Sequence, residues 1–127
     1  SSAIRGGGQR SAVRISTANA LRDGTGTIGT LYTAGAEGAF FKGFRYQAEV
    51  TTTAGMVRLY LQRAGAGNHE LFKEMPVAAI TATASVAAAS DEWFPAAGIV
   101  LEALTVVSVS TEKAEAISCH LVGGGSY

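Results

Sequence analysis

One cysteine and two prolines occur in 127 residues, and only 16% of the chain is charged. Each shortage excludes something. A single cysteine, Cys119, leaves no intramolecular disulfide to form. It shares parity with Ile117 and Leu121 in an alternating run over residues 116–122, and so reads as a small buried hydrophobe. Ten basic and ten acidic residues cancel to a formal net charge of zero. There is no basic surplus to hold nucleic acid or an anionic membrane, and neither is expected as a partner. No apolar run approaches the ~20 residues of a membrane-spanning helix. No charged n-region followed by an apolar h-region opens the chain, so no secretory leader is expected. Charge is well below the roughly 25% of an average domain, and zero net charge leaves self-association unopposed. The length is that of one domain, able to bury roughly two-thirds of its unfolded surface.

Catalytic apparatus is scarce as well. The two histidines are His69 and His120. Zinc takes three or four ligands, often paired at short spacing, whereas Cys119 and His120 are adjacent and point to opposite faces of a strand. The same geometry breaks a Cys/His nucleophile pair, unless His69 comes across from another strand. Glu70 and Glu74 share a strand face at ~13 Å, beyond the ~5–9.5 Å of paired glycosidase carboxylates. Gly6, Gly7 and Gly8 are not followed by the Lys-Ser/Thr of a phosphate loop. Tyr32, Tyr46, Tyr60, Trp93 and the phenylalanines are the residues available for a carbohydrate groove, although aromatics in strands ordinarily pack in the core or across strands. No catalytic residue, metal ligand or cofactor is expected, and the chain reads as a non-enzyme.

What is present is alternation. Across residues 40–62, Phe44, Tyr46, Ala48 and Val50 alternate with Arg45, Gln47, Glu49 and Thr51. Val57, Leu59 and Leu61 then alternate with Arg58, Tyr60 and Gln62. A period of two gives each half one apolar and one wet face, with Gly55 able to turn the chain between them. The stretch is expected to form a long antiparallel hairpin with Thr52 in an exposed turn.

Further strands are expected over 13–17, 27–33, 69–75, 104–110 and 116–122. Pro76 ends or offsets the ladder because it cannot donate a hydrogen bond. Residues 77–89 place Ile80, Ala82, Ala84 and Val86 on one parity and threonines and Ser85 on the other, which predicts a strand whose small side chains admit a close neighbour. These four residues are the expected oligomer interface. Ser90, Asp91 and Glu92 read as a polar break, and Trp93 as a cover over one end of the core.

About eight evenly spaced strands without a long helix predict an all-β chain forming a single antiparallel sandwich. A jelly-roll-like arrangement is the first choice and an immunoglobulin-like sandwich the alternative. Residues 1–11 read as a flexible N-terminal arm, 12–123 as the sandwich domain, and 124–127 as a flexible C-terminal end. Within the arm, Ile4, Arg5 and Arg10 are the expected partner contacts.

Three stretches carry a resemblance. They are TLYTAG at residues 30–35, TTTAGMVRL at 51–59 and STEKAE at 110–115, with GGGSY closing the chain. In order and spacing they resemble a family of small virion structural proteins of tailed bacteriophages. The family's ending is of a Gly-Gly-Asp-Tyr type, from which Ser126 departs. The similarity runs from about residue 30 onward and leaves the arm outside it. It implies a non-enzymatic component that decorates or cements the capsid, assembled in the host cytoplasm and located on the virion. The implied partners are the major capsid protein or other virion proteins, and further copies of the chain. By analogy with decoration proteins, a homotrimer is favoured. The alternative is a fibre or spike module, or a neck or tail accessory module, binding a host glycan or another virion protein.

Overall fold

A computed structural model describes residues 11–127; the contacts expected of Ile4, Arg5 and Arg10 lie outside the described residues. Eleven strands and no helix occur among the described residues. The first sheet joins β1 (Ala12–Ile15), β10 (Ile117–Val122), β4 (Gly43–Ala48) and β7 (Ser90–Trp93) in that order. The second joins β2 (Gly29–Thr33), β9 (Val106–Thr111), β5 (Gly55–Gln62) and β6 (Glu70–Val77). A third, smaller sheet joins β11 (Gly125–Ser126), β3 (Ala39–Phe41) and β8 (Ile99–Leu101). All pairings between named strands are antiparallel. In the two four-stranded sheets the chain changes sheet at almost every step, which is the strand order of a jelly roll. The sandwich expected from the alternation is therefore the fold.

Phe44, Tyr46 and Ile117 of the first sheet and Val57, Leu59 and Val109 of the second are among the side chains that fill the core. The alternation read from the sequence places these side chains in the core, but the face of β5 expected to be wet is covered as well, with Arg58 and Tyr60 buried, and Val50 of the apolar parity is exposed. The alternation also misassigns one pairing. Residues 40–62 do not form a hairpin, because β4 and β5 belong to different sheets. Two strands with one apolar face each can lie side by side or face one another across a core, and period two is the same in both cases. Here residues 49–54 cross the sandwich. Thr52 is correspondingly buried rather than exposed: its hydroxyl donates to the Ala78 carbonyl at 2.7 Å and its backbone bridges Ile80. The hairpin that does form is β5–β6. β6 continues through Pro76 to Val77, tolerable because β6 is the outermost strand of its sheet.

Three further expectations need correcting. Residues 78–89 form no strand; apart from the bridge to Thr52, they hold one turn in which the Thr83 hydroxyl accepts from the backbone N–H groups of Ser85 and Val86. Alanine methyls bury too little area to hold a strand, and threonine offers its backbone a local partner instead. Ile80 packs against the core while Ala84 and Val86 are exposed, so Ile80, Ala82, Ala84 and Val86 do not share one apolar face. The polar break at Ser90, Asp91 and Glu92 is in fact most of β7, paired with β4 and mostly exposed as a sheet edge. The end expected to be flexible carries β11, and both its residues are buried. Ser126 hydrogen-bonds the Tyr32 hydroxyl and accepts from the Gly35 N–H at 3.0 Å. This close approach needs glycine: a methyl at Gly124 would fall on the Phe40 carbonyl oxygen.

Candidate functional site

The sequence-derived chemistry is dispersed by the fold. Cys119 is buried between Val13 and Tyr46, its register partners on β1 and β4. Burial pushes its thiol up to about 12, so it stays protonated and unreactive at neutral pH. His120 pairs with Ala12 and Arg45 on the other face of the same strand. Among the described residues no group of three or more His, Cys, Asp and Glu side chains is placed to hold a metal ion.

The three tyrosines do not form a sugar platform. Tyr32, Tyr46 and Tyr60 are buried, and each hydroxyl is bonded internally: Tyr32 to Ser126, Tyr46 to the Pro76 carbonyl at 2.6 Å, Tyr60 to the Leu21 carbonyl at 2.9 Å. Trp93 meets the edge of Phe72 at 5.5 Å, and the Lys73 ammonium sits 5.0 Å over the Trp93 ring. That contact covers a face a sugar would stack on.

Glu70 and Glu74 work separately too. Glu70 lies 3.6 Å from Arg63, both exposed. Glu74 receives Arg22 and Arg58 on one carboxylate oxygen, each at 2.9 Å. Arg58 is 4% exposed because residues 16–28 fold over the outer face of the second sheet. Asn19 fixes that loop by donating to the carbonyls of Thr25 and Thr27 and accepting from the Leu21 N–H. Beneath it, Arg58 Nη1, Ser108 Oγ and Ser110 Oγ have no hydrogen-bond partner among the described residues.

These ion pairs set an acid limit. The Arg58 hydrogen bond, with help from Arg22 and against a smaller push from desolvation, holds Glu74 below the ordinary carboxylate range. The Ser118 hydroxyl and Arg14 do the same for Glu49, whose pair with Arg14 spans 2.8 Å. A carboxylate depressed in the folded state contributes stability that is complete above its unfolded pKa, about 4.3, and is lost as pH falls through the folded value. The urea midpoint should therefore be flat from about pH 7 to pH 5 and fall below about pH 4.3. Replacing both Glu49 and Glu74 by glutamine should flatten that acid limb. An unchanged limb in the double variant would assign the acid loss to other groups.

The surface feature with the most binding character lies where two sheet edges meet. β6 is outermost in its sheet and β8 outermost in the small sheet. Between them runs a groove of about 310 Å³ lined by Leu71, Phe72 and Val100, with Glu70, Arg63 and Glu102 at its rim. Val100 is 69% exposed, and Phe72 and Leu71 about two-fifths exposed. Val100 pairs with Phe40 on β3, and Phe40 and Phe94 line a second, shallower hollow of about 470 Å³. Leu104, held at a φ of +61°, adds another exposed aliphatic side chain just beyond β8. Glu102 has no ion pair among the described residues, so the rim carries an excess of one negative charge.

The sequence does hold a signal for this groove. Leu71 and Phe72 are adjacent, and Val100 lies between Ile99 and Leu101; on a strand, neighbours cannot all face one core. A β-bulge absorbs part of the conflict, since Tyr60 pairs with Leu71 and Leu59 with Lys73, skipping Phe72. The structure leaves Leu71, Phe72 and Val100 facing water.

No protein-family model, no curated protein and no solved structure matches this chain.

Proposed function

We propose that this chain is a non-enzymatic structural protein of a tailed-bacteriophage virion that decorates or cements the capsid. The observation that carries the reading is the apolar groove at the β6–β8 edge, continuous with Phe40 and exposed on a rigid jelly roll. Exposed apolar surface of this kind marks an interaction site. The resemblance over residues 30–127 supports the virion setting. The partners are the major capsid protein or other virion proteins, together with further copies of the chain as a homotrimer. The turn at Thr83–Val86, with Val86 about half exposed, offers a second and smaller contact beside Ala84. Individually weak contacts of this size become strong when repeated on a lattice.

The test is co-sedimentation of purified protein with undecorated capsids of the phage that encodes it, alongside analytical sedimentation of the protein alone. The expected result is saturable binding, weakened at least tenfold by Val100→Lys, and a trimer at high concentration. Absence of capsid binding together with a specific signal on a glycan array would replace the reading with that of a host-glycan module.

A further inference from the structure

We propose that the β6–β8 groove receives residues 3–10 of a second copy of this chain, as an added extended strand with Ile4 on the apolar floor. The proposal rests on the structural-protein reading, because it supplies the copy-to-copy contact that a decorating assembly uses.

The groove's chemistry selects the occupant. Its apolar lining is Leu61, Leu71, Phe72, Val100 and Leu101, and Glu102 lines it without an ion pair among the described residues. Among the described residues no strand pairs with the outer edge of β6 or of β8. A site with an apolar floor and open backbone edges takes an extended peptide by strand addition, with side-chain pockets supplying specificity. Within residues 1–10 there is one large apolar residue, Ile4, with Arg5 beside it, Arg10 beyond, and no acid. One aliphatic anchor and two cations match an apolar floor with a surplus carboxylate.

Reach selects the second copy over the chain's own groove. Ser11 is tied to Leu121 by two hydrogen bonds, so the segment leaves the molecule at β1, the outermost strand of the first sheet. The groove is on the opposite edge, where Phe72 of β6 meets Trp93 of β7. A straight line would run through the core, so the segment has to pass over the surface, where three strand spacings of ~4.8 Å and a step of ~10 Å between the sheets make the path roughly 24 Å. Seven residues from Ser11 to Ile4 extend to about 23–25 Å at most. The chain's own groove would therefore take the segment's whole reach, whereas a neighbour set edge to edge takes only part of it. An exit on one edge and a groove on the other is a head-to-tail contact, which closes into a ring when the rotation permits.

Engineered cysteines test this in the full chain, because Cys119 is buried and does not compete. An Ile4→Cys chain is mixed with a Val100→Cys chain under mild oxidation, and the crosslinked heterodimer is followed on a non-reducing gel. The control partner is Val50→Cys, 43% exposed and away from the groove. Crosslinking to Val100→Cys is expected at least tenfold faster than to the control. Arg5→Glu or Glu102→Arg alone should slow it about tenfold, and combining Arg5→Glu in one chain with Glu102→Arg in the other should restore it. Rates equal to the control, or crosslinking confined to a single chain that carries both cysteines, would overturn the proposal. Neither readout involves a capsid, so failure here leaves the capsid co-sedimentation result standing on its own.

Discussion

Leu59→Ala should lower the unfolding free energy by about 2–5 kcal/mol, the range for removing a buried leucine and leaving part of its volume empty. Leu59 is 1% exposed on β5, an inner strand of its sheet, with Val109 on β9 as a register partner. Strands on both sides limit how far the site can collapse, which favours the upper half of the range. Thr52→Ala is the informative comparison. An exposed turn would make it nearly silent. In the fold Thr52 is 3% exposed and its hydroxyl donates to Ala78 in a partly buried bond, so the variant removes that bond and should cost about 0.5–1.5 kcal/mol. Guanidinium unfolding of both variants gives the order directly. Leu59→Ala costing no more than Thr52→Ala would mean that β5 does not face the core as described.

The second large effect is expected at the C-terminal strand. Gly124→Ala should destabilise by about 1–3 kcal/mol or more, because the new methyl meets the Phe40 backbone rather than a side chain that can move aside. Ser126→Ala should add a separate loss of about 1–3 kcal/mol by leaving the buried Tyr32 hydroxyl without its Ser126 partner. Gly67→Ala is the control, since nothing lies within 4 Å of a methyl at Gly67 and no positive φ constrains it. Thermal unfolding of the three variants separates the possibilities. If Gly124→Ala behaves like Gly67→Ala, β11 is not seated on β3.

These two cases show where the sequence was readable. Faces were legible on β4, where the apolar parity of Phe44, Tyr46 and Ala48 is the buried one, but only half so on β5: Val57 and Leu59 enter the core, while Arg58 and Tyr60, expected on a wet face, are buried under residues 16–28. Partners were not legible, because alternation carries no information on which strand lies beside which. That is why β4 and β5 looked like a hairpin. Strands at sheet edges were also hard to see. β7 is Ser-Asp-Glu-Trp, and a strand with a solvent-exposed edge can afford that composition. β11 escaped because a glycine run reads as flexible unless its close backbone contact is known. The Ala-rich segment 78–89 failed in the other sense, alternating over residues 80–86 without enough side chain to bury. The groove was half visible in Leu71, Phe72 and Val100 as an excess of apolar residues over available core, but its walls come from strands about thirty residues apart.

The pairing of β1 with β10 has a consequence for the birth of the protein. Ser11 and Leu121 lie 110 residues apart in the chain, yet they are hydrogen-bonded neighbours. At roughly 5–20 residues per second, a ribosome that has made β1 needs about 5–20 s more to make its partner. Until then the first sheet has no inner strand to join β1 to β4, and the apolar side chains of β4 have no closed layer to enter. Sheets assembled from such distant segments fold in milliseconds to seconds once complete, slower than helical bundles of the same size. The nascent chain therefore spends most of its synthesis as open strand edges, and its escape from aggregation depends on release and closure being quick relative to encounter with another unfinished copy.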